Sequence, residues 1–317
     1  MTAVKAGVVG VGYLGKFHAE KYAQLPEAEL VGVVDIDLDR ARAIGDRFHV
    51  AAYRDFRDLL GKVKAVSIAV PTNLHYAIAR TFLQHGVDVL LEKPMTVTLE
   101  EADDLIAIAQ AQGCILQIGH LERYNAALIA IKNIIHKPLF IESHRIAPFK
   151  ERGIDVDVIL DLMIHDIDII LSLVNAPVTR IDAVGVPVLT SNTDIANVRL
   201  RFANGCIANV TASRISAKEM RKLRLFQHDA YLSIDFASQA VDIFKKLPDT
   251  DIDGIPQITY ESINLAQGDS LAEEIRAFLR AVRNRRLPDV SGEAGRDALK
   301  VALDIIEQIK TTQPVVN

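Results

Sequence analysis

Cysteine is nearly absent from this 317-residue chain: Cys114 and Cys206 are the only two. That excludes a disulfide framework and any cysteine-rich zinc site. Both sit in apolar, strand-like runs, so two buried free thiols in a reducing compartment are expected. Basic residues are in no excess either. Lys and Arg total 36 against 41 Asp and Glu, a net charge of −5. There is no chain-wide basic footprint, and no nucleic-acid partner is expected. Long apolar runs are missing. None approaches the roughly 20 residues that span a bilayer. The longest, Val156 to Val174, is interrupted by Asp161, His165, Asp166 and Asp168. Met1 and Thr2 lead almost directly into a strand-like run, with no basic n-region and no small-residue cleavage site. A cytoplasmic protein without a targeting segment or a membrane is the expectation. Repeats and low-complexity tracts are missing as well. What remains is 50% hydrophobic and 24% charged, an ordinary globular balance at a length suited to two domains.

The first 120 residues alternate strand and helix. Apolar runs predict strands at Ala3–Val9, Glu29–Asp35, Ala65–Val70, Val87–Leu91 and Cys114–Ile118. Helical periodicity covers Tyr13–Gln24, Leu38–Phe48, Leu74–His85 and Leu99–Gln112. Near-continuous apolar strands in regular βαβ alternation predict an α/β domain, a doubly wound parallel sheet covered on both faces. After Arg123 the pattern changes. Helices at Ala126–His136 and roughly 155–174 flank a strand at Leu139–Ile146, and seven strands follow between Arg180 and Ser262 with short turns. Asn204-Gly205 marks a hairpin between two of them. This predicts an α+β domain: one large, open, mostly antiparallel sheet with helices on one face. Two helices, Leu271–Asn284 and Glu293–Thr312, close the chain. The domains are expected at 1–120 and 121–317, with the last helix able to fold back on the first.

Gly10-Val11-Gly12-Tyr13-Leu14-Gly15 matches G-x-G-x-x-G. The spacing alone is weak, but here it follows an apolar strand and opens a helix. Gly10 suits the tight turn, Gly12 a close backbone approach to a pyrophosphate, and Gly15 close helix–strand packing. The helix N-terminus offers N–H groups and a positive dipole end to phosphate. Asp35 ends the second strand, 20 positions after Gly15, where a carboxylate accepts hydrogen bonds from ribose hydroxyls. Asp37 follows two residues later, and two carboxylates repel a 2′-phosphate, so NAD is favoured over NADP. Arg40 is the nearby cation that opposes this. The alternative is a tight turn without ligand and a solvated Asp35.

Ligands of open parallel sheets lie beyond the strands' carboxyl ends. Pro71, Thr72, Asn73 and His75 occupy one such end, although Asn73 also suits a helix cap before Leu74. Glu92-Lys93-Pro94 occupies the next, and Pro94 holds Lys93 extended. A lone strand-end lysine is otherwise a solvated side chain.

The segment 155–174 carries a polar stripe. At about 100° per residue with Asp161 at zero, Asp157, His165, Asp168 and Ser172 fall within about 40° of it. A carboxylate four residues before an imidazole can orient it and stabilise its protonated form, as a general base requires. The alternatives are a solvated stripe and a metal site. One His and two Asp on one helix enclose a metal poorly, so no metal is expected.

With these residues assembled, the chain resembles the glucose–fructose oxidoreductase / inositol dehydrogenase (Gfo/Idh/MocA) family over essentially its whole length. The resemblance rests on the glycine turn at 10–15, Glu92-Lys93-Pro94, and Asp161-x-x-x-His165-x-x-Asp168. It implies a Rossmann domain, a second domain on an open sheet, a site between them, and NAD as cofactor. It implies cofactor contacts from the glycine turn (Gly10, Gly12, Tyr13, Leu14, Gly15), from Asp35 and Arg40, from Pro71, Thr72, Asn73 and His75, and from Glu92 and Lys93. His165 would be the base, Lys93 would hydrogen-bond the substrate hydroxyl, and Asp161 would position His165 or the substrate. The stretch 119–125 further resembles the branch that oxidises UDP-N-acetylglucosamine at C3, ahead of an aminotransferase in lipid A or surface-polysaccharide synthesis. Arg123, Tyr124, Asn125, Arg145 and Arg214 would then face the substrate. Lys150, Arg152, Lys218 and Arg221 are further candidates for its diphosphate, each of which could equally be a surface charge. A free sugar or inositol is the alternative substrate. A non-catalytic dinucleotide sensor is the alternative of another class, against which the intact Lys93/His165 pair speaks. An uncovered sheet face would bury itself in a homodimer or homotetramer.

Overall fold

The structure is a computed structural model that describes residues 2–149, 156–250, 255–266 and 268–312. The chain divides into two compact units, Met1–Leu121 with Asp269–Leu299, and Glu122–Gly268 with Lys300–Asn317.

The first unit is built on a six-stranded parallel sheet. Its elements run β1 (Val4–Val9), α1 (Gly15–Gln24), β2 (Ala28–Val34), α2 (Leu38–Phe48), β3 (Ala51–Tyr53), β4 (Ala65–Ile68), α3 (Thr72–Gln84), β5 (Asp88–Glu92), α4 (Leu99–Gln112) and β6 (Leu116–Gly119). The strand order is β3-β2-β1-β4-β5-β6. That is the doubly wound order whose reversal beside β1 opens a crevice at the strands' carboxyl ends. The strands are apolar because both faces are covered: Val8, Val33, Val66, Leu90 and Ile118 are fully buried. Local chemistry sets the helix starts. Asp37 accepts the Arg40 N–H at the head of α2, and Thr98 with Glu101 forms a reciprocal capping box on α4.

The second unit is built on an eight-stranded sheet. Its elements are α5 (Ala126–Ile131), β7 (Phe140–Ile146), a π-helical turn (Ile159–Met163) running into α6 (Ile164–Val174), β8 (Val178–Val186), β9 (Ile195–Phe202), β10 (Ile207–Ser213), β11 (Met220–Phe226), β12 (Ala230–Asp235), β13 (Ala240–Thr250) and β14 (Pro256–Asn264). The order is β14-β13-β12-β11-β7-β10-β9-β8. β7 and β10 pair in parallel; the other described pairs are antiparallel. One face carries Ile141, Val198, Leu200, Val210, Leu223 and Leu232, all fully buried, and α5 and α6 pack against the strands. The other face carries an aromatic row. Phe140, Phe226, Tyr231, Phe244 and Tyr260 stack strand to strand, with ring centroids 5.6, 4.7, 5.5 and 4.7 Å apart. Gly205, at φ +86°, closes the β9–β10 hairpin.

Two helices follow, α7 (Ser270–Asn284) and α8 (Gly292–Thr312). Within the first unit, Ile275, Phe278, Leu279 and Val282 of α7 join Ala19 and Tyr22 of α1 in one core cluster. Among the described residues no helix is long and apolar enough to cross a membrane.

Several expected boundaries move. α3 begins at Thr72 with Pro71 as its N-cap residue, so Asn73 lies in the first turn and caps nothing. α5 stops at Ile131, after which the chain makes tighter turns, with Ile134 N–H on Ile131 O. Cys114 is partly exposed in the turn ahead of β6, whereas Cys206 is buried. Burial pushes both thiols up, Cys206 to about 11, so neither is a reactive thiolate at neutral pH. Asp155, Lys150 and Arg152 lie outside the described residues.

Candidate active site

The glycine turn sits at the carboxyl end of β1, and each glycine has a separate reason. Gly10 has φ +83°, and a Cβ there would lie 2.6 Å from Ala69 O. A Cβ on Gly15 would lie 1.7 Å from Gly10 O, so only glycine lets α1 start this close to the strand. A Cβ on Gly12 would meet nothing within 4 Å. Its smallness serves no packing need of the protein and leaves room for a ligand against the backbone. No side chain caps the first turn of α1, whose N-cap residue is Leu14. Together these form an anion cradle of the kind a pyrophosphate takes.

A cleft of about 730 Å³ opens beside the turn, lined by Gly10, Gly12, Asp35, Arg40, Pro71 and Leu74 among others. Tyr13 lines an adjoining cleft with Gly12, Lys16 and Arg40. Asp35 is buried. Its Oδ2 accepts from Val11 N–H at 3.0 Å and its Oδ1 from Asp37 N–H at 3.0 Å. Arg40 lies across both oxygens at 3.3 and 3.4 Å and also pairs with Asp37. Arg54 and Arg57 line the same cleft, which the sequence reading missed; Arg57 is paired with Asp55 at 2.9 Å. The cations are thus largely matched by carboxylates. The cradle, the open space at Gly12 and the carboxylate fit a dinucleotide with an unphosphorylated ribose.

His75 is buried, with Nδ1 2.9 Å from Pro94 O and Nε2 2.9 Å from Val70 O. Burial lowers its pKa against the opposing pull of those carbonyls, which favours the neutral ring. It ties the β4 end to the turn after β5, where Lys93 is half-buried and the Lys93–Pro94 peptide is cis. Glu92 points inward, with Oε1 3.0 Å from His18 Nε2 and Oε2 accepting Lys93 N–H at 3.3 Å.

In the second unit Asp161 lies on the π-helical turn and His165 in the first turn of α6, both half-buried. Ile164 N–H reaches back five residues to Ile159 O. Such π turns concentrate at functional sites. The wider turn breaks up the expected stripe. Asp157 precedes it and accepts Thr193 N–H at 2.9 Å, and Ser172 is exposed. Asp166, placed off the stripe by the sequence, is fully engaged instead: Arg145 Nε at 2.6 Å and Ser143 Oγ at 2.8 Å. Arg145 also reaches Glu122 at 2.9 Å. Burial opposes its charge, but Asp166 and Glu122 outweigh it and hold the pKa above the ordinary arginine value. Asp168 pairs with Arg123 at 3.4 Å. Asn125 caps α5 through Ala127 N–H and donates to Phe236 O, while Tyr124 is buried beside it in sequence. Arg214 is buried on Asp194 at 2.8 Å, Val156 O at 2.7 Å and Thr190 Oγ1 at 3.1 Å. The structure thus brings Gly10, Gly12, Asp35, Arg40 and Pro71 to one cleft. It leaves Arg145, Arg214 and Asn125 bonded within their own unit.

A glycine-turn cleft with a ribose-level carboxylate on a doubly wound sheet defines a dinucleotide-binding domain, here joined to a unit bearing an Asp–His helix. The chain belongs to the Gfo/Idh/MocA family of oxidoreductases. The model for "Oxidoreductase family, NAD-binding Rossmann fold" matches residues 4–120, and that for the GFO/IDH/MocA C-terminal domain matches residues 144–232. The chain is 40% identical over 306 residues to UDP-N-acetylglucosamine 3-dehydrogenase of Acidithiobacillus ferrooxidans, covering 96% of this chain and 97% of that one. A solved structure of UDP-N-acetylglucosamine 3-dehydrogenase from that organism superposes with a TM-score of 0.91 at 38% identity, over 98% of this chain and 99% of the other. Myo-inositol 2-dehydrogenase of Thermotoga maritima is 27% identical over 315 residues, covering 93% of each. The chain is accordingly an oxidoreductase, and its first unit is the family's NAD-binding domain.

Proposed function

We propose that this protein oxidises the C3 hydroxyl of UDP-N-acetylglucosamine to the 3-keto sugar nucleotide. The observation that carries this reading is the 40% identity over 96% of the chain to a UDP-N-acetylglucosamine 3-dehydrogenase, against 27% to an inositol dehydrogenase. NAD, when bound, supplies the hydride acceptor. Gly10, Gly12 and the start of α1 would hold its pyrophosphate and Asp35 its ribose. In this reading His165 accepts the hydroxyl proton, because imidazole titrates near neutral pH and Asp161 precedes it by four residues. Lys93 hydrogen-bonds the same oxygen and favours the alkoxide. Arg123, Tyr124, Asn125, Arg145 and Arg214 stand on the substrate side. Arg123 is the least buried of the three arginines, at 18% side-chain exposure against 5% for Arg145 and Arg214. It is the proposed diphosphate contact. Arg145 and Arg214 shape that wall through the bonds they already make.

The remaining parts of the proposal are a cytoplasmic enzyme, a downstream aminotransferase that consumes the ketone, and a homodimer or homotetramer. The aromatic row on the uncovered sheet face supports self-association: Phe244 and Tyr260 are 38% and 60% exposed. Incubation with NAD, UDP-N-acetylglucosamine and 2-oxoglutarate as terminal acceptor tests the reaction. A product two mass units lighter than substrate is expected. Turnover of myo-inositol or a free sugar, with indifference to UDP, overturns the assignment.

A further inference from the structure

The first unit encloses a buried polar chain that turns Glu92, which the resemblance places among the cofactor contacts, inward onto His18 instead. Tyr22 OH lies 2.9 Å from Ser67 Oγ, Ser67 Oγ 3.1 Å from His18 Nδ1, and His18 Nε2 3.0 Å from Glu92 Oε1. Glu92 Oε2 then accepts the backbone N–H of Lys93 at 3.3 Å. Tyr22, Ser67 and His18 are fully buried and Glu92 is 8% exposed. A fifth member faces them from α7. Glu274 is fully buried, and neither of its carboxyl oxygens has a hydrogen-bond partner. Ligand atoms of His18, Glu92 and Glu274 all lie within 4.8 Å of one another.

The donors and acceptors of this chain set where its charge rests. Two carboxylates this close in a dry interior do not both ionise. Glu92 has two N–H donors and Glu274 has none, so the charge rests on Glu92 and the proton on Glu274. Burial, with Glu92 beside it, moves the Glu274 pKa upward, in the same direction. His18 presents Nε2 to Glu92 and Nδ1 to Ser67, whose hydroxyl bridges on to Tyr22 OH. The space is made for it: a Cβ on Gly119 would lie 3.0 Å from Glu92 Cδ and from both its oxygens.

We propose that Glu92 is a positioning residue, held by the Tyr22–Ser67–His18 chain, that fixes the backbone from which Lys93 reaches the substrate hydroxyl. This rests on the reading of Lys93 given above. Hydrogen-bond-directed placement of a reacting group governs turnover more than binding, and displacement of about 1 Å can cost about 100-fold. Glu92 therefore acts on kcat, through Lys93.

The test is a set of variants assayed with NAD and UDP-N-acetylglucosamine, with NADH binding by fluorescence and thermal melting alongside. E92Q keeps shape but loses the charge and offers an amide where His18 donates. Its kcat is expected to fall about 10-fold to 100-fold, with KM for the sugar nucleotide and NADH affinity each within about threefold. H18A removes the donor from the far side and is expected to lower kcat in the same way. The double variant is expected to be no worse than E92Q, since the chain acts as one unit. E274Q replaces an acid already neutral and is expected to stay within about twofold of wild type. E92Q with unchanged kcat beside an inactive K93M overturns the inference and leaves the proposed reaction standing. An active K93M instead overturns the catalytic reading itself. If E92Q does not fold, H18A decides by the same kcat-against-KM split, and an unchanged kcat there overturns the inference. Turnover that collapses in E274Q while E92Q is normal reverses the charge assignment and also overturns it.

Discussion

Arg145 Nε and Asp166 Oδ2 meet at 2.6 Å inside the second unit, with side-chain exposures of 5% and 2%. The pair joins α6 to β7, and so holds the helix bearing His165 against the sheet. Removing one partner leaves the other charge buried and unpaired, a loss of roughly 3–5 kcal/mol. R145M is expected to lower the urea-unfolding free energy by about that amount, and adding D166L to recover much of it. A loss below about 1 kcal/mol for R145M would contradict the buried pairing.

Gly12 and Gly15 separate ligand space from packing space. A methyl group at Gly12 meets open space, whereas one at Gly15 meets Gly10 O at 1.7 Å. G12A is expected to melt within about 2 °C of wild type while binding NAD at least about 10-fold more weakly. G15A is expected to lower the melting temperature as well. Equal NAD affinity for G12A and wild type would place the pyrophosphate elsewhere.

Asp194 gives the fold an acid-sensitive point. Its burial would raise the pKa, but N–H groups of Thr190, Leu189 and Val188 and the Arg214 guanidinium outweigh it and hold the carboxyl well below 3.8. A depressed folded pKa means that ionised Asp194 stabilises the fold above pH about 4. That contribution is lost as pH falls below about 4 toward the folded value. D194N is expected to be less stable than wild type at pH 7, with the difference shrinking by pH 2 to 3. Unfolding free energies across that range check it, and a pH-independent difference would contradict it.

The aromatic row predicts an interface. Like-charged glutamates at Phe244 and Tyr260 would face each other or lie in an apolar contact across a self-associating sheet. F244E/Y260E is expected to run as a monomer in light scattering while retaining its helical and strand content by circular dichroism. An unchanged mass would remove this face from the assembly.

The Rossmann half was legible because its strands are buried on both faces and read as unbroken apolar runs. β3 escaped because Ala51–Tyr53 is three residues long and only partly buried at the sheet edge. Position 161 was legible as polar within an apolar segment, but a fixed 100° step could not show the π turn at Ile159–Met163. That turn, together with the Thr193 contact of Asp157, redistributed the polar stripe and concealed Asp166 as the buried partner. The Glu92 network was missed, although its helical members left a trace. Glu274 shares an apolar helix face with Phe278 and Ala281, and His18 one with Tyr22, at helical spacing. A lone polar residue on a buried face signals a partner, though the sequence names none, since His18 and Glu92 are 74 residues apart.

The most direct measurement of the central claim is a single turnover with UDP-N-acetylglucosamine deuterated at C3, read by mass spectrometry of the nicotinamide product. The account predicts reduced cofactor one mass unit heavier than NADH, absent in K93M and H165A that still bind NAD. Unlabelled NADH, or label appearing undiminished in either variant, would contradict it.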